Sequence, residues 1–165
     1  MSDPEVSPSR QDPITIGVED ARTPDALWLV EATRMELGRR YGTNASAFHP
    51  EEVSPPHGRF VVAWVGGVAL GCGAFRRFDE HAVEIKQMYV APAGRRRGLA
   101  RLILKELERL AAVAGYRVAR LETGTLQIEA IALYETSGYS RIPPFGCYIG
   151  NPISVCFEKM LPMPS

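Results

Sequence analysis

The sequence has few cysteines, and it has no apolar run or charged leader that would suggest a membrane or a secretory route. Its three cysteines, Cys72, Cys147 and Cys156, are odd in number and show no C-x-x-C spacing. Neither a disulfide framework nor a zinc site is indicated, so we predict buried or partly buried thiols and no metal. No apolar run approaches the roughly 20 residues of a membrane span, and the first residues lack a signal-peptide pattern. A cytoplasmic protein without a membrane partner is therefore expected.

An excess of charge of one sign is also lacking. The 165 residues contain 19 Lys+Arg and 19 Asp+Glu, a net charge of zero, which argues against a protein that coats nucleic acid with its whole surface. With 45% hydrophobic and 23% charged residues, the chain is too apolar for a disordered protein and is about one domain long. The charge is not evenly spread, because residues 95–109 contain six basic and two acidic side chains.

The order of predicted elements indicates one α/β (α+β) domain with a central sheet flanked by helices. Residues 1–13 are rich in proline and serine and are predicted to be a disordered tail, leaving 14–165 for the domain. Strands are predicted over 14–18, 59–65, 68–75, 82–90, 118–122, 139–142 and from about 153, and helices from Thr23 to Gly42, from near Arg97 to Gly115 and over 127–137, with a loop over 44–58. In the first helix the expected buried stripe is Ala26, Val30, Thr33 and Leu37.

The segment after the fourth predicted strand is the most informative. There Met88-Tyr89-Val90 leads through a Pro-Gly turn into Arg95-Arg96-Arg97-Gly98-Leu99-Ala100 at the start of a helix. Free N–H groups, the positive end of the helix dipole and guanidinium groups together favour a phosphate or pyrophosphate. Small residues at 98 and 100 would let that ligand approach the backbone. The alternatives are an exposed arginine-rich helix start and a basic localisation run.

Two segments resemble the Gcn5-related N-acetyltransferase (GNAT) family. Residues 95–100 match its acetyl-CoA signature, Gln/Arg-x-x-Gly-x-Gly/Ala, and residues 127–139 match its Asn-x-x-Ala-x-x-Leu-Tyr-x-x-x-Gly-Phe/Tyr helix, with Gln127 in place of the usual asparagine. The resemblance covers roughly residues 59 to 160. It implies a mixed, mostly antiparallel sheet that is splayed between strands 4 and 5, with the pantetheine arm of acetyl-CoA in the gap.

The same resemblance implies which residues bind acetyl-CoA as cosubstrate. They are Met88, Tyr89, Val90, Arg95, Arg96, Arg97, Gly98, Leu99, Ala100, Gln127 and Ala130. In similar family members an acid near Glu84 acts as the base, and a tyrosine at the position of Tyr134 protonates the CoA thiolate. From the residues alone, Glu84 paired with Lys86 or an arginine, and Tyr134 as a packing residue, remain alternatives. No residue is expected to bind a metal.

The acceptor side is less well marked. Phe145 and Tyr148, in the connection between the last two strands, are predicted to wall an acceptor pocket. Arg76, or its neighbour Arg77, is predicted to hold a carboxylate. We therefore expect an acetyl-CoA-dependent N-acetyltransferase that acts on a small or amino-acid-like amine, with a homodimer as one option for its assembly. A CoA-binding sensor without activity is the alternative. Nucleic-acid binding through residues 95–109 is disfavoured, because no aromatic residues are interleaved with this patch.

Overall fold

The computed structural model describes residues 8–42 and 47–163. Within these ranges the chain forms seven strands and three α-helices in the predicted order. Their bounds are β1 Ile14–Val18, α1 Pro24–Tyr41, β2 Arg59–Val65, β3 Val68–Arg77, β4 Ala82–Val90, α2 Leu99–Val113, β5 Val118–Gly124, α3 Ile128–Thr136, β6 Ser140–Ile142 and β7 Ser154–Met160.

The strands form one mixed, mostly antiparallel sheet in the order β1-β2-β3-β4-β5-β7-β6, which confirms the predicted fold class. Only the central β4–β5 pair is parallel, and its register ends at Ile85 and Leu121, although both strands continue further. Gln87 has a φ of 57°, and the register of β4 against β3 shifts beside it. A bulge of this kind bends a strand. The two central strands therefore separate beyond Ile85, and the predicted splay is confirmed.

The two faces of the sheet bury different helices. Helix α2 packs its apolar stripe, Leu99, Ile103, Leu104, Leu107, Ala111 and Ala112, on one face. Helix α1 packs on the other, above Phe60, Val62, Cys72 and Ala74. Of the predicted stripe, Ala26 and Thr33 are buried, and Val30 packs half-buried against the same cluster. Leu37 is only half-buried, and Leu29, which was not predicted, is buried.

Cysteine burial follows the prediction at two of three positions. Cys72 and Cys156 are buried, and burial raises the pKa of the Cys72 thiol to about 12. Cys147 is exposed, because it lies in the short 3₁₀ turn Gly146–Tyr148 outside the sheet. The prediction of a buried thiol is wrong there.

The predicted disordered tail over residues 1–13 stays a prediction. Residues 1–7 lie outside the described part of the chain, as do residues 43–46, which include the first three residues of the predicted loop over 44–58. From Pro8 onward the chain forms a turn in which the Ser9 N–H donates to the Asp12 carboxylate at 2.6 Å. The turn continues into β1, and the Gly66 N–H of the β2–β3 hairpin donates to Pro13 O at 3.0 Å.

Candidate functional site

The segment Arg95–Gly98, called the arginine loop below, follows the 3₁₀ turn Pro92–Gly94 and completes the connection from β4 to α2. Arg96 has a φ of 66° and Gly98, the N-cap of α2, has a φ of 75°, so helix α2 begins slightly later than predicted. The left-handed conformation costs a non-glycine residue roughly 1–2 kcal/mol. Among the described residues, the backbone N–H groups of residues 96–101 have no protein acceptor, and a Cβ added at Gly98 would have no atom within 4 Å. This open, donor-rich loop fits a pyrophosphate.

The first arginine of the loop is held by the protein itself. The Nε of Arg95 donates to Val90 O at 3.1 Å, and its Nη2 donates to both carboxylate oxygens of Glu36, each at 3.1 Å. Glu36 belongs to α1 and also accepts from Arg40 at 3.1 Å. The loop is thereby tied to the end of β4 and to the neighbouring helix.

The other two arginines differ in their surroundings. Arg97 donates to Ser9 O at 2.8 Å and to Pro8 O at 2.6 Å, and its Nε is buried without a partner among the described residues. Arg96 is exposed, and no ion pair or side-chain hydrogen bond is found for it within residues 8–42 and 47–163. Arg95 is also exposed, but of the three guanidinium groups only that of Arg96 has no partner in this part of the chain.

The gap between β4 and β5 begins where their pairing stops. Met88, Tyr89 and Val90 lie half-buried on β4 beyond the last paired residue. On the other side, the Oε1 of Gln127 accepts from the Gly124 N–H at 2.9 Å and closes the turn from β5 into α3. Ala130 packs half-buried against the core, and Leu99 is buried, so Leu99 presents only its backbone to the loop. The residues predicted to bind acetyl-CoA thus lie in the arginine loop and the first turn of α2, on β4 beyond its pairing with β5, and at the start of α3.

Tyr134 lies on α3 and is 4% exposed. Its ring makes contacts with Tyr139 and Phe157, each at 5.8 Å between centroids, and no hydrogen bond of its hydroxyl is found within the described chain. Burial, and then the negative charge of Glu122, raise the pKa of Tyr134. The phenol is therefore protonated at neutral pH and available as a donor.

Arg76 and Tyr148, which lie far apart in the sequence, both donate to the carboxylate of Glu84. Glu84 is 1% exposed, its Oε1 accepts from Arg76 Nε at 2.7 Å, and its Oε2 accepts from the Tyr148 hydroxyl at 2.5 Å. Burial, and then the bond to Glu84, raise the pKa of Tyr148. Phe145 packs edge-on against Tyr148 at 5.4 Å between centroids. The pairing of Glu84 with an arginine is the alternative that the residues had left open.

Charges alternate along a row that crosses the α1 side of the sheet. In register from β3 to β7 stand Arg76, Glu84, Arg120 and Glu158, and Arg120 Nε donates to Glu158 at 2.8 Å. Opposite charges on facing strands stabilise a sheet and satisfy one another. The charged groups of this row are therefore already engaged.

Glu122 is a carboxylate that the sequence analysis missed. It lies on β5 just past the last paired residue and accepts from the Ser154 hydroxyl at 2.8 Å. Within the described residues it has no salt bridge. Burial, and to a smaller extent Glu84, raise its pKa, while Ser154 and Lys86 lower it. One signal could have found it: Glu122 is the last residue of the predicted strand 118–122, and ligands commonly bind at the carboxyl ends of strands.

Two further findings concern what the described chain lacks. Among residues 8–42 and 47–163, no group of three or more His, Cys, Asp or Glu side chains is placed to hold a metal ion. In that same part of the chain, every helix is too short or too polar to cross a bilayer.

Comparison with known proteins gives a consistent result. The model of the acetyltransferase (GNAT) family matches residues 23–139. A relative from Azospirillum brasilense, named IAA acetyltransferase, is 33% identical over 150 residues, which are 90% of this chain and 98% of that protein.

Solved structures agree with the fold. A structure from Klebsiella pneumoniae, described as an acyl-CoA N-acyltransferase, superposes with a TM-score of 0.76 and 28% identity over 93% of this chain and 99% of the other. A GNAT family acetyltransferase from Elizabethkingia anophelis with acetyl-CoA bound has a TM-score of 0.66 and 21% identity over 92% and 100% of the two chains.

Proposed function

This chain belongs to the GNAT family of acetyltransferases, and on that premise we propose that it transfers the acetyl group of acetyl-CoA to the amine of a small, amino-acid-like acceptor. The chain is an acetyl-CoA-dependent acyltransferase, and the cosubstrate supplies an acetyl group activated as a thioester. The observation that carries the proposal is the gap between β4 and β5. It opens on β5 at Glu122, just past the last paired residue, and the negative charge of Glu122 raises the pKa of Tyr134.

The reaction needs a neutral amine, a donor for the developing oxyanion and a proton for the leaving thiolate. The C–N bond forms as the C–S bond breaks, and the amine loses one proton while the sulfur gains one. We propose that Tyr134 donates a proton to the sulfur, because its buried hydroxyl is protonated and has no partner among the described residues. A backbone N–H of β4 between Met88 and Val90 is the proposed donor to the oxyanion.

For the base, the contacts favour Glu122. Both oxygens of Glu84 already accept hydrogen bonds and its side chain is 1% exposed, so an amine cannot reach it without displacing Arg76 or Tyr148. Glu122 is half-buried, and its carboxylate keeps one oxygen without a partner in the described chain. The raised pKa of Glu122 also makes it a stronger base than an ordinary carboxylate. We propose that Glu122 accepts the proton and that Glu84 positions Tyr148; the prediction that Glu84 is the base stays open to the same experiment.

The acceptor is proposed to lie beside Tyr148 and Phe145. The rings of Tyr148 and Phe145 can pack against the apolar part of a small molecule, and the carboxylate of Glu122 can bind its amine as an ammonium group. Arg76 as a carboxylate ligand stays a prediction, since its guanidinium is engaged by Glu84. The likeness to the protein named IAA acetyltransferase supports a small acceptor. Homodimer formation and a cytoplasmic location stay predictions.

The test of the proposed function is thiol release from acetyl-CoA with a panel of amines. Turnover with small amines or amino acids, together with mass-spectrometric detection of the N-acetyl product, is expected. Tight CoA binding without turnover of any amine would reject the acceptor class and favour the sensor.

Replacing Glu122 by glutamine is expected to lower kcat/KM for the acceptor by about a hundredfold, the size typical of a lost general base. The base must be ionised, so in the wild type activity rises with pH as Glu122 loses its proton. This rise is the acidic limb of the pH profile. Because the pKa of Glu122 is raised, the acidic limb lies at a higher pH than the ordinary carboxyl range. In Glu122→Gln the limb disappears, and pH profiles of kcat/KM measure this.

The matched variants are Glu84→Gln and Glu158→Gln, which alter other carboxylates of the same sheet face. Both are expected to keep the acidic limb. If Glu84→Gln loses the limb and Glu122→Gln keeps it, Glu84 is the base.

A further inference from the structure

We propose that Arg95 and Arg97 are positioning residues that hold the backbone of the arginine loop in the shape that receives the pyrophosphate, and that Arg96 alone of the three contacts the phosphates. The sequence predicted one role for all three. This inference rests on acetyl-CoA binding and is independent of the acceptor proposed above.

The backbone conformation of Arg96 is the reason why the loop needs residues that hold it in place. A non-glycine residue with a φ of 66° persists only where its surroundings hold it. The residues on both sides of Arg96 are tied by their side chains to elements outside the loop. The contacts of Arg95 and Arg97 thus hold the backbone of Arg96 between them, so that its N–H already points in the binding direction before a ligand arrives.

The first tie runs to α1. Arg95 meets both oxygens of Glu36, and the exposed fraction of the Glu36 side chain is only 19%. The Arg95 side chain is 45% exposed, but its Nε and Nη2 already donate to Val90 O and to Glu36, and these two nitrogens could bind a phosphate only by giving up those partners. Arg95 therefore stabilises the loop instead of neutralising the ligand.

The second tie runs to the turn Ser9–Asp12. Arg97 donates to two carbonyl oxygens at 2.8 and 2.6 Å, those of Ser9 and Pro8. The turn is itself anchored, since Asp12 accepts from the Ser9 N–H and the chain joins the β2–β3 hairpin through Gly66. The N-terminal segment thereby becomes part of the cosubstrate site without contacting the ligand.

The experiment is calorimetric titration of the full chain with two probes, CoA and pantetheine, which lacks the pyrophosphate. Glu36→Gln is expected to weaken CoA binding about tenfold, and Asp12→Ala, which frees the turn but leaves Arg97 intact, about threefold. Pantetheine binding and the melting temperature should change little in both variants. Glu31→Gln is the matched control, because Glu31 pairs with Arg34 on the exposed side of α1 at 2.6 Å.

Two results would overturn the inference. One is unchanged CoA affinity in Glu36→Gln and Asp12→Ala together with a loss in Arg97→Gln, since Arg97 would then bind the phosphates directly. The other is an equal loss for CoA and pantetheine, which would indicate general loosening of the fold. Absence of acetyl transfer to any amine would leave both readouts intact, so failure of the proposed function is distinguishable.

Discussion

Replacing Gly98 by glutamate is expected to lower the affinity for acetyl-CoA by about a hundredfold or more. Gly98 has a φ of 75°, and a Cβ built there would have no atom within 4 Å. The new side chain therefore fits without a clash, but it places a negative charge beside the free N–H groups that would bind the pyrophosphate. Calorimetry with CoA measures the loss, and thermal melting shows that the fold persists.

The chain offers a matched control for this variant. Gly67 in the β2–β3 hairpin has a φ of 82° and, like Gly98, has no atom within 4 Å of an added Cβ. Gly67→Glu therefore carries a similar backbone strain and the same charge, and it should leave CoA affinity unchanged. Gly98→Gln separates strain from charge. Equal CoA affinity in Gly98→Glu and the wild type would show that the phosphates bind elsewhere.

The sequence contained the arginine loop but not the roles within it. Gly98 and the helix start could be predicted because their chemistry is local: a small residue, free N–H groups and a following amphipathic stripe. The partners of Arg95 and Arg97 lie on α1 and before β1, far away in sequence. No local pattern specifies such contacts, so the three arginines looked equivalent.

A similar limit applies to the carboxylates. Glu84 attracted attention because a charged residue between Val83 and Ile85 in a central strand is costly unless paired. The structure supplies the pairing through Arg76 and Tyr148, and this pairing is what leaves Glu84 inaccessible. The cost of a charge in a central strand did not single out Glu122. Its carboxylate is accessible because the pairing between β4 and β5 ends just before it. That end depends on the bulge at Gln87, which the residue types of β4 do not reveal.

The splay itself was implied by the resemblance to the family and could not be obtained from spacing. Its physical basis is visible in the structure, because the positive φ at Gln87 lies two residues after Ile85, the last residue of β4 that is paired to β5. Beyond this point one edge of the central strand β4 has no neighbouring strand. An extended, amide-containing ligand arm can take the place of the missing strand.

Replacing Tyr134 by phenylalanine is expected to lower kcat by about a hundredfold, with the Michaelis constant for acetyl-CoA within about a factor of two. The ring contacts with Tyr139 and Phe157 do not involve the hydroxyl, so phenylalanine preserves them. The loss should therefore appear in the chemical step alone. Single-turnover measurement of thiol release isolates that step from product release.

Tyr139→Phe is the control, because this buried neighbour also carries a hydroxyl on the same side of the core. The Tyr139 hydroxyl donates to Glu108 at 2.8 Å, so its removal should cost about 1 kcal/mol of stability and leave the single-turnover rate unchanged. For Tyr134→Phe the opposite pattern is expected, with stability retained and rate lost. If Tyr134→Phe reacts at the wild-type rate, the sulfur receives its proton from another donor and Tyr134 is a packing residue. If both variants lose rate and stability together, the effect belongs to the core that Tyr134 and Tyr139 share and not to the Tyr134 hydroxyl.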